Sequence, residues 1–282
     1  MADITAFYDP ATGTVTYLVA DGVEAAIIDP VLDFDPADGT LSAKSVDAVL
    51  GAAETRGLRI VWVLDTHAHA DHLSAADEIR RRTGARIGIG ARITEVQSVF
   101  KPMFNAEDVT ADGAVFDALF EDGARIPLGA TEIEVMATPG HTPACVTYLV
   151  DGAAFVGDTI FMPEFGTART DFPGGDAATL YRSVRRILAL PDDTRIFVGH
   201  VYPEPGEEAR WETTVAAQKR ANIHVHDGVS EADYVAMREA RDATLDAPRL
   251  ILPSLQVNIR AGALPAAESD GRVYLKTPVR MA

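Results

Sequence analysis

The hydrophobic and polar positions in the first third of this chain predict several buried strands. Residues 14–19 alternate between apolar and polar side chains, as expected for a strand with two different faces. Residues 24–29 and 60–64 are short apolar runs, which are typical of strands buried on both faces. A stretch rich in Asp, Pro and Gly lies between these runs and predicts a loop over residues 33–39.

Other segments carry apolar residues at helical spacing. Residues 42–56 place them on one face, with Ser42 as the predicted N-cap and Gly57 as the stop signal. Further helices are predicted over residues 73–82, 91–100, 177–190, 207–220 and 231–243. Further strands are predicted over residues 85–90, 114–119, 132–137, 145–150, 153–156 and 195–198. This order of strands and helices, without an internal repeat, predicts an α/β fold.

The character of the chain changes near residue 203, where the strand-rich pattern gives way to helical segments and one isolated apolar run, residues 249–252. A separate domain of about 75 residues would be marginally stable on its own. We therefore predict a main domain over residues 1–203 and a C-terminal appendage over residues 204–282 that packs on it.

Composition narrows the possible partners and the compartment. The net charge of −17 disfavours nucleic acid and anionic membranes as partners, because both carry negative charge. The apolar runs are too short to span a bilayer, and the N-terminus lacks the pattern of a secretory signal. A single cysteine, Cys145, fits a reducing compartment, so we expect a cytoplasmic protein.

Five of the seven histidines lie in three short motifs, accompanied by two aspartates. The set comprises His67, His69, Asp71, His72, His141, Asp158 and His200. Alternate residues of an extended segment point the same way, so His67 and His69 can face one point at the end of a predicted strand. Histidine and carboxylate are ligands of zinc and non-haem iron, and the motifs therefore predict a metal site at strand ends.

Three other residues with reactive side chains lack such a context. His224 and His226 form an isolated His-Val-His sequence, and we predict that both are surface residues. Cys145 lies in a predicted strand, where a buried and inert thiol is expected.

The run His67-Ala68-His69-Ala70-Asp71-His72, followed in order by His141, Asp158 and His200, resembles the signature of the metallo-β-lactamase superfamily. The resemblance covers about the first 200 residues. It implies an α/β fold of the metallo-β-lactamase type, which is a four-layer αβ/βα sandwich with the metal at one edge of two packed sheets. Residues 1–203 would then be the catalytic domain.

Finer features look like the glutathione-persulfide dioxygenases, also called sulfur dioxygenases. They are Gly140-His141-Thr142-Pro143-Ala144-Cys145-Val146-Thr147, Arg169-Thr170-Asp171-Phe172 and the tail Gln256-Val257-Asn258-Ile259-Arg260-Ala261-Gly262. The chain departs from that family at Thr167-Ala168, where many members have Cys-Gly. It departs again at Gly199-His200-Val201-Tyr202, where they often have Ala-His-Asp-Tyr.

This resemblance implies an oxidoreductase that converts glutathione persulfide, O₂ and water to sulfite and glutathione at one non-haem Fe(II) per chain. Carried over to this sequence, His67, His141 and Asp158 would hold the iron and form the catalytic centre. The remaining set, His69, Asp71, His72 and His200, would hydrogen-bond the ligands or hold a second metal. The resemblance also implies a homodimer or a homotetramer.

Glutathione carries two carboxylates, so its pocket is expected to contain cations. The candidates for substrate binding are Arg169, Arg210, Lys219 and Arg260, with Tyr181 as a hydroxyl donor. An alternative uses the same seven side chains to hold two zinc ions, with Asp158 bridging, in a glyoxalase II-like hydrolase of S-lactoylglutathione or another thioester. The intact ligand set disfavours a third alternative, a metal-binding module without catalysis. The sequence leaves the number and identity of the metals open.

Overall fold

The structure is a computed structural model, and it describes residues 2–204 and 206–279. The strands, in chain order, are β1 (Asp3–Asp9), β2 (Thr14–Asp21), β3 (Glu24–Ile28), β4 (Val31–Asp35), β5 (Thr40–Ser42), β6 (Arg59–Leu64), β7 (Leu73–Ser74), β8 (Arg86–Gly90), β9 (Ala118–Phe120), β10 (Arg125–Leu128), β11 (Thr131–Ala137), β12 (Val146–Val150), β13 (Ala153–Phe155), β14 (Arg195–Phe197) and β15 (Glu212–Thr214). The helices are α1 (Lys44–Thr55), α2 (Ala76–Thr83), α3 (Ile93–Phe104), α4 (Ala177–Leu188), α5 (Val215–Ala221), α6 (Glu231–Asp242) and α7 (Ile251–Asn258).

Two six-stranded sheets form the centre of the molecule. The first has the order β1-β2-β3-β6-β8-β9, and the second has the order β10-β11-β12-β13-β14-β15. In the first sheet β3, β6, β8 and β9 run parallel, whereas β1, β2 and β3 pair antiparallel. A small third sheet, β5-β4-β7, lies beside them. Parallel strands end at the same edge of a sheet, so the loops after β3 and β6 start side by side.

Burial on both faces explains the apolar character of the central strands. Along β2, Tyr17 and Val19 contribute to a core that also contains residues of the second sheet, whereas Leu18 faces a second core formed with helices. Successive side chains of a strand point to opposite faces, so a strand covered on both sides must be apolar throughout.

The helices cover the outer faces of the two sheets. Apolar residues of α1, α2, α3 and α7 pack in the core on the outer face of the first sheet. Those of α4, α5 and α6 join the core of the second sheet. The result is the four-layer αβ/βα sandwich that the sequence predicted. No helix among the described residues has both the length and the apolar character needed to cross a membrane.

Several element boundaries differ from the sequence predictions because of pairing that is distant in the chain. Residues 33–35, predicted as loop, belong to β4, which pairs with β5 and β7. Ser42 lies in β5 and is therefore not the N-cap of α1; Asp33 accepts the hydrogen bond from the Ser45 N–H at 3.0 Å instead. The helix predicted over residues 73–82 begins at Ala76, since Leu73 and Ser74 pair with β4.

The C-terminal part is bound closely to both cores. Residues 207–220 do not form the single predicted helix, because Glu212–Thr214 pairs with β14 as an edge strand before α5 begins. Tyr234 of α6 is buried in the core of the second sheet, and Leu255 of α7 is buried in the core beside the first. The division at residue 203 stays a prediction.

Candidate metal centre

The first histidine motif is anchored by the buried carboxylate of Asp29. Asp29 follows β3 and Thr66 follows the parallel neighbour β6, so the two residues meet at one edge of the sheet. The Thr66 N–H donates to Asp29 Oδ1 at 2.7 Å, and the Thr66 hydroxyl donates to Asp29 Oδ2 at 2.8 Å. His69 Nε2–H also donates to Asp29 Oδ1, at 3.0 Å. These hydrogen bonds to Asp29 hold the motif in place without the help of a metal.

Three of the predicted ligands form a compact group. The ligating atoms of His67, His141 and Asp158 all lie within 4.8 Å of one another. Asp158 Oδ2 is 3.7 Å from His67 Nε2 and 3.8 Å from His141 Nε2. Atoms that bind one ion at about 2.0–2.2 Å lie up to twice that distance apart, so this spacing accommodates a metal.

Hydrogen bonds fix the direction in which each of these three side chains presents its free atom. His141 Nδ1–H donates to the carbonyl oxygen of Arg169 at 2.7 Å. His67 Nδ1–H donates to the Thr66 hydroxyl oxygen at 3.0 Å, because the hydroxyl proton is already given to Asp29. Asp158 Oδ1 accepts from His200 Nδ1 at 2.7 Å. Both imidazole Nε2 atoms and Asp158 Oδ2 remain directed at a common point.

The seven motif residues include three buried nitrogen atoms without a hydrogen-bond partner among the described residues, namely His67 Nε2, His69 Nδ1 and His72 Nε2. Burial lowers the pKa of His69 and of His72 to about 4, and burial together with the neighbouring His69 lowers the pKa of His67 well below its usual value. Neutral imidazoles with unpaired buried lone pairs are costly unless something binds them. The donor set therefore fits a metal.

A second set of candidate ligands adjoins the first. His69, Asp71 and His72 have ligating atoms within 4.8 Å of one another, as do Asp71, Asp158 and His200. His200 lies between the two carboxylates, with Nε2 at 2.5 Å from Asp71 Oδ2 and Nδ1 bound to Asp158. Burial would lower the pKa of His200, but Asp158 and Asp71 outweigh burial and raise it well above the usual value. His200 Nδ1–H thus donates to Asp158, whereas Nε2 is hydrogen-bonded to the Thr14 hydroxyl at 3.1 Å and has Asp71 Oδ2 as an ion-pair neighbour.

A cavity of about 330 Å³ opens beside this cluster. Its polar floor includes Asp71, His141 and Asp158, and its apolar walls include Phe161, Phe165, Phe172, Leu245 and Pro248. The Phe172 ring meets the His141 ring edge-on, with their centroids 5.2 Å apart. A larger cavity of about 650 Å³ near β4 reaches only His72 of the cluster, so the smaller one is the better candidate for a substrate pocket.

The residues predicted to bind substrate fall into two groups. Arg169 lines the cavity, although its guanidinium binds Asp171 and backbone carbonyls. The structure does not bring the other four to the cavity, because each is held elsewhere. Their partners are Glu164 for Arg210, Asp192 for Lys219, Asp108 for Arg260 and the Val229 carbonyl for Tyr181.

The C-terminal part supplies site residues that the sequence analysis missed. Asn258 Nδ2 donates to the carbonyls of His69 and His72 at 2.7 and 2.8 Å, while its Oδ1 accepts from the Ser74 N–H. Asp242 accepts from the Thr170 N–H at 2.8 Å and thereby fixes the loop beside His141. Asn258 lies within the segment of residues 256–262, whose resemblance to the persulfide dioxygenases could have indicated a role at the site. Asp242 lies in no motif, so nothing in the sequence indicated its role.

The predictions for three other residues have clear outcomes. His224 is buried rather than a surface residue, because its Nδ1 accepts a hydrogen bond from the Thr167 N–H at 3.0 Å. His226 is exposed, as predicted. Burial raises the pKa of the Cys145 thiol to about 12, so the prediction of an inert buried thiol is confirmed.

Two glycines allow the site loops to approach their neighbours. Gly140 has φ +134°, and a Cβ there would collide with the backbone of Leu180 at the start of α4. Gly157 has φ +49°, and a Cβ there would collide with the Thr66 side chain. Larger residues would therefore displace the loops that carry His141 and Asp158.

Known proteins resemble this chain along most of its length. It is 51% identical to a probable metallo-hydrolase of Burkholderia pseudomallei (strain 1710b), with 98% of each chain covered. It is 43% identical to glyoxylase B2 of Dictyostelium discoideum, over 96% of this chain and 94% of that protein. It is also 35% identical to the mitochondrial persulfide dioxygenase ETHE1 of Homo sapiens, over 69% of this chain and 66% of the human protein.

Some relatives are longer than this chain. It spans 64% of the beta-lactamase hydrolase-like protein of Agrobacterium fabrum (strain C58), at 51% identity. Among solved structures, ETHE1 from Myxococcus xanthus superposes with a TM-score of 0.75 at 29% identity, with 93% of this chain and all of that chain covered. The family model of the metallo-beta-lactamase superfamily matches residues 9–200, a segment that contains all seven motif residues. The chain therefore belongs to the metallo-beta-lactamase superfamily.

Proposed function

We propose that this enzyme is a persulfide dioxygenase that uses one Fe(II) to convert glutathione persulfide, O₂ and water to glutathione and sulfite. The observation that carries the proposal is that the two carboxylate oxygens of Asp158 have different roles. One carboxylate oxygen accepts from His200, and the other faces His67 and His141. Two imidazoles and one carboxylate are the ligand set of non-haem Fe(II) oxygenases.

The similarity to the human and Myxococcus proteins supports this assignment, because it includes a protein named as a persulfide dioxygenase and extends over most of the fold. Since fold alone does not determine chemistry in a large superfamily, the ligand set carries more weight than the overall similarity.

When bound by His67, His141 and Asp158, iron would supply open coordination positions and redox chemistry for the sulfane sulfur and O₂. The side chains and backbone around the metal position would enclose the substrate and orient the ligands. The aromatic side chains, including Phe161 and Phe172, form apolar walls beside the polar floor of the cavity, and such walls would limit the access of water to a bound substrate. The carbonyl of Arg169 keeps the proton of His141 on Nδ1, so that Nε2 stays available as a ligand.

The test is oxygen uptake by the iron-loaded protein with glutathione persulfide. The balanced reaction consumes one O₂ and one water for each sulfite and each glutathione formed, so uptake and sulfite should match. His67→Ala and His141→Ala should abolish both, whereas His226→Ala, which alters an exposed histidine, should change neither. An iron-loaded protein that consumes no O₂ with this substrate would refute the proposal.

A hydrolase of the glyoxalase II type is the second candidate, and two observations favour it. His69 Nδ1 and His72 Nε2 are also buried and unpaired among the described residues, which suits a second metal, and glyoxylase B2 is among the relatives. This function predicts that the protein cleaves S-lactoylglutathione without O₂ and that the His69→Ala variant loses this activity. Anaerobic thioester cleavage with two metals per chain would establish it in place of the dioxygenase.

A further inference from the structure

The cavity beside the metal cluster is lined by three arginines, and two of them already have partners. Arg169 binds the carboxylate of Asp171 through Nε and Nη2, both at 2.6 Å, and the Asp246 carbonyl through Nη1. Arg238 is buried and binds Asp242 at 2.6 Å and the Thr167 carbonyl at 3.2 Å. These two guanidinium groups hold the cavity wall together.

Arg241 differs from both. It lies one turn after Arg238 on α6, it is exposed, and it lines the cavity. Its side chain makes no hydrogen bond or ion pair with any residue that the structure describes. The nearby acids do not pair with it, since Asp242 binds Arg238 and Thr170, and Asp171 binds Arg169.

Arg241 is unpaired among the described residues although the 42 acidic residues of the chain outnumber its 25 basic ones. The predicted cations Arg210, Lys219 and Arg260 all have acidic partners. Of the three arginines that line the cavity, Arg241 is the one whose guanidinium is free to bind an anionic ligand, because Arg169 and Arg238 already bind Asp171 and Asp242. Arginine binds a carboxylate through two parallel hydrogen bonds, which a neutral group does not match.

We propose that Arg241 binds a carboxylate of the substrate and so restricts the site to small thiol derivatives that carry a free carboxylate. This inference rests on the proposed function for the other end of the ligand, where the sulfur faces His67, His141 and Asp158. The cavity volume of about 330 Å³ suits a ligand of tripeptide size. Arg241 thereby determines specificity and takes no part in the chemical step.

The test measures binding rather than turnover, using calorimetry with glutathione and with glutathione diethyl ester, in which both carboxylates are blocked. Arg241→Gln should weaken glutathione binding about tenfold or more, because a charge-assisted bidentate contact is lost. The diethyl ester should bind equally weakly to both proteins. Arg241→Lys should keep part of the affinity, since lysine keeps the positive charge but cannot make the two parallel hydrogen bonds of a guanidinium group.

Arg220→Gln is the matched control, because Arg220 is also exposed and unpaired among the described residues but does not line the cavity. It should bind glutathione as the unaltered protein does. The dependence on Arg241 should appear in metal-free protein as well as in anaerobic iron-loaded protein, which separates the carboxylate contact from the metal.

Equal affinity of Arg241→Gln and the unaltered protein for glutathione would overturn the assignment. So would a lack of preference for glutathione over its diethyl ester, or no measurable binding of either. If the Arg241 dependence holds but glutathione persulfide causes no oxygen uptake, the carboxylate site stands and the proposed dioxygenase function fails.

Discussion

At the scale of single residues, the centre depends on which atom each side chain leaves free. His67, His141 and Asp158 each use one polar atom in a hydrogen bond within the protein and present the other to the same point. Metal-binding histidines in proteins usually have such a partner, which fixes the tautomer and the ring orientation. The geometry is therefore prepared by the chain before a metal binds.

Asp158→Asn should abolish stoichiometric iron binding without unfolding the protein. Asparagine keeps the shape and can still accept a hydrogen bond from His200, but it lacks the negative charge that holds the cation. We expect the end point at one iron per chain to disappear from an anaerobic Fe(II) titration, with circular dichroism as the check on folding. Asp38→Asn, at an exposed carboxylate, is the control. Retention of one iron per chain by the Asp158→Asn variant would contradict the ligand assignment.

His224 should make the free energy of unfolding depend on pH. Burial, with Arg238 and Arg241 nearby, lowers its pKa from 6.5 to about 4, and its Nδ1 must stay unprotonated to accept from Thr167. Because the unfolded chain binds the proton more readily, stability is complete above pH 6.5 and is lost as the pH falls toward 4.

Urea unfolding at about pH 7 and about pH 4.5 measures this effect. His224→Asn should lose about 2 kcal/mol less stability than the unaltered protein between these pH values. An identical loss in both proteins would show that His224 is not held neutral in the fold.

At the scale of elements, α6 positions the loop that carries Arg169 and Thr170. Asp242 accepts from the Thr170 N–H at 2.8 Å and from its hydroxyl at 3.0 Å, and the preceding carbonyl orients His141. A helix outside the ligand motifs is thus connected to a ligand through the backbone of one loop.

Asp242→Asn should destabilise the protein and weaken metal binding together. The substitution leaves the buried guanidinium of Arg238 without its ion-pair partner, which costs about 3 kcal/mol, and it loosens the loop beside His141. Urea unfolding and Fe(II) titration give the two values. The double variant Arg238→Gln/Asp242→Asn should lose less stability than the sum of the single variants, whereas additive losses would contradict the coupling.

The elements that the sequence predicted well are those whose pattern is local. The central strands alternate or form apolar runs because both faces are buried, and the metal motifs follow those strands directly. The misplaced elements depend on distant partners. Leu73–Ser74 becomes a strand because β4 lies beside it, and Glu212–Thr214 becomes one because β14 does.

The same reason explains the site residues that could not be found from the sequence. His224 is buried because Gly166 and Thr167, more than 50 residues away in the chain, pack against it. Arg210, Lys219 and Arg260 fitted the expected chemistry of a glutathione pocket, but their charges are used by acids that only the fold brings near them.

At the scale of the whole molecule, the tail and the first histidine motif form one unit. Asn258 binds the carbonyls of His69 and His72 across more than 180 residues of sequence. Two buried tyrosines join the sheets at the same edge, as Tyr17 donates to the Val198 carbonyl and Tyr148 to the Asp65 carbonyl. The metal centre thus depends on both ends of the chain.

Asn258→Ala should reduce stability by about 3 kcal/mol, because three buried hydrogen bonds are lost and their backbone partners stay buried. Iron retention after dialysis should fall as well, since the loop from His69 to His72 is released. Ser254→Ala, which removes a buried hydroxyl without a partner among the described residues, is the control on α7. Normal stability and full iron retention in Asn258→Ala would show that the tail does not support the site.

The most direct measurement of the proposed chemistry is the metal content of protein that is active with glutathione persulfide. Elemental analysis of freshly purified protein, paired with oxygen uptake on the same sample, should find one iron per chain and activity in proportion to it. Two metals per chain, with thioester cleavage that proceeds without O₂, would contradict the account.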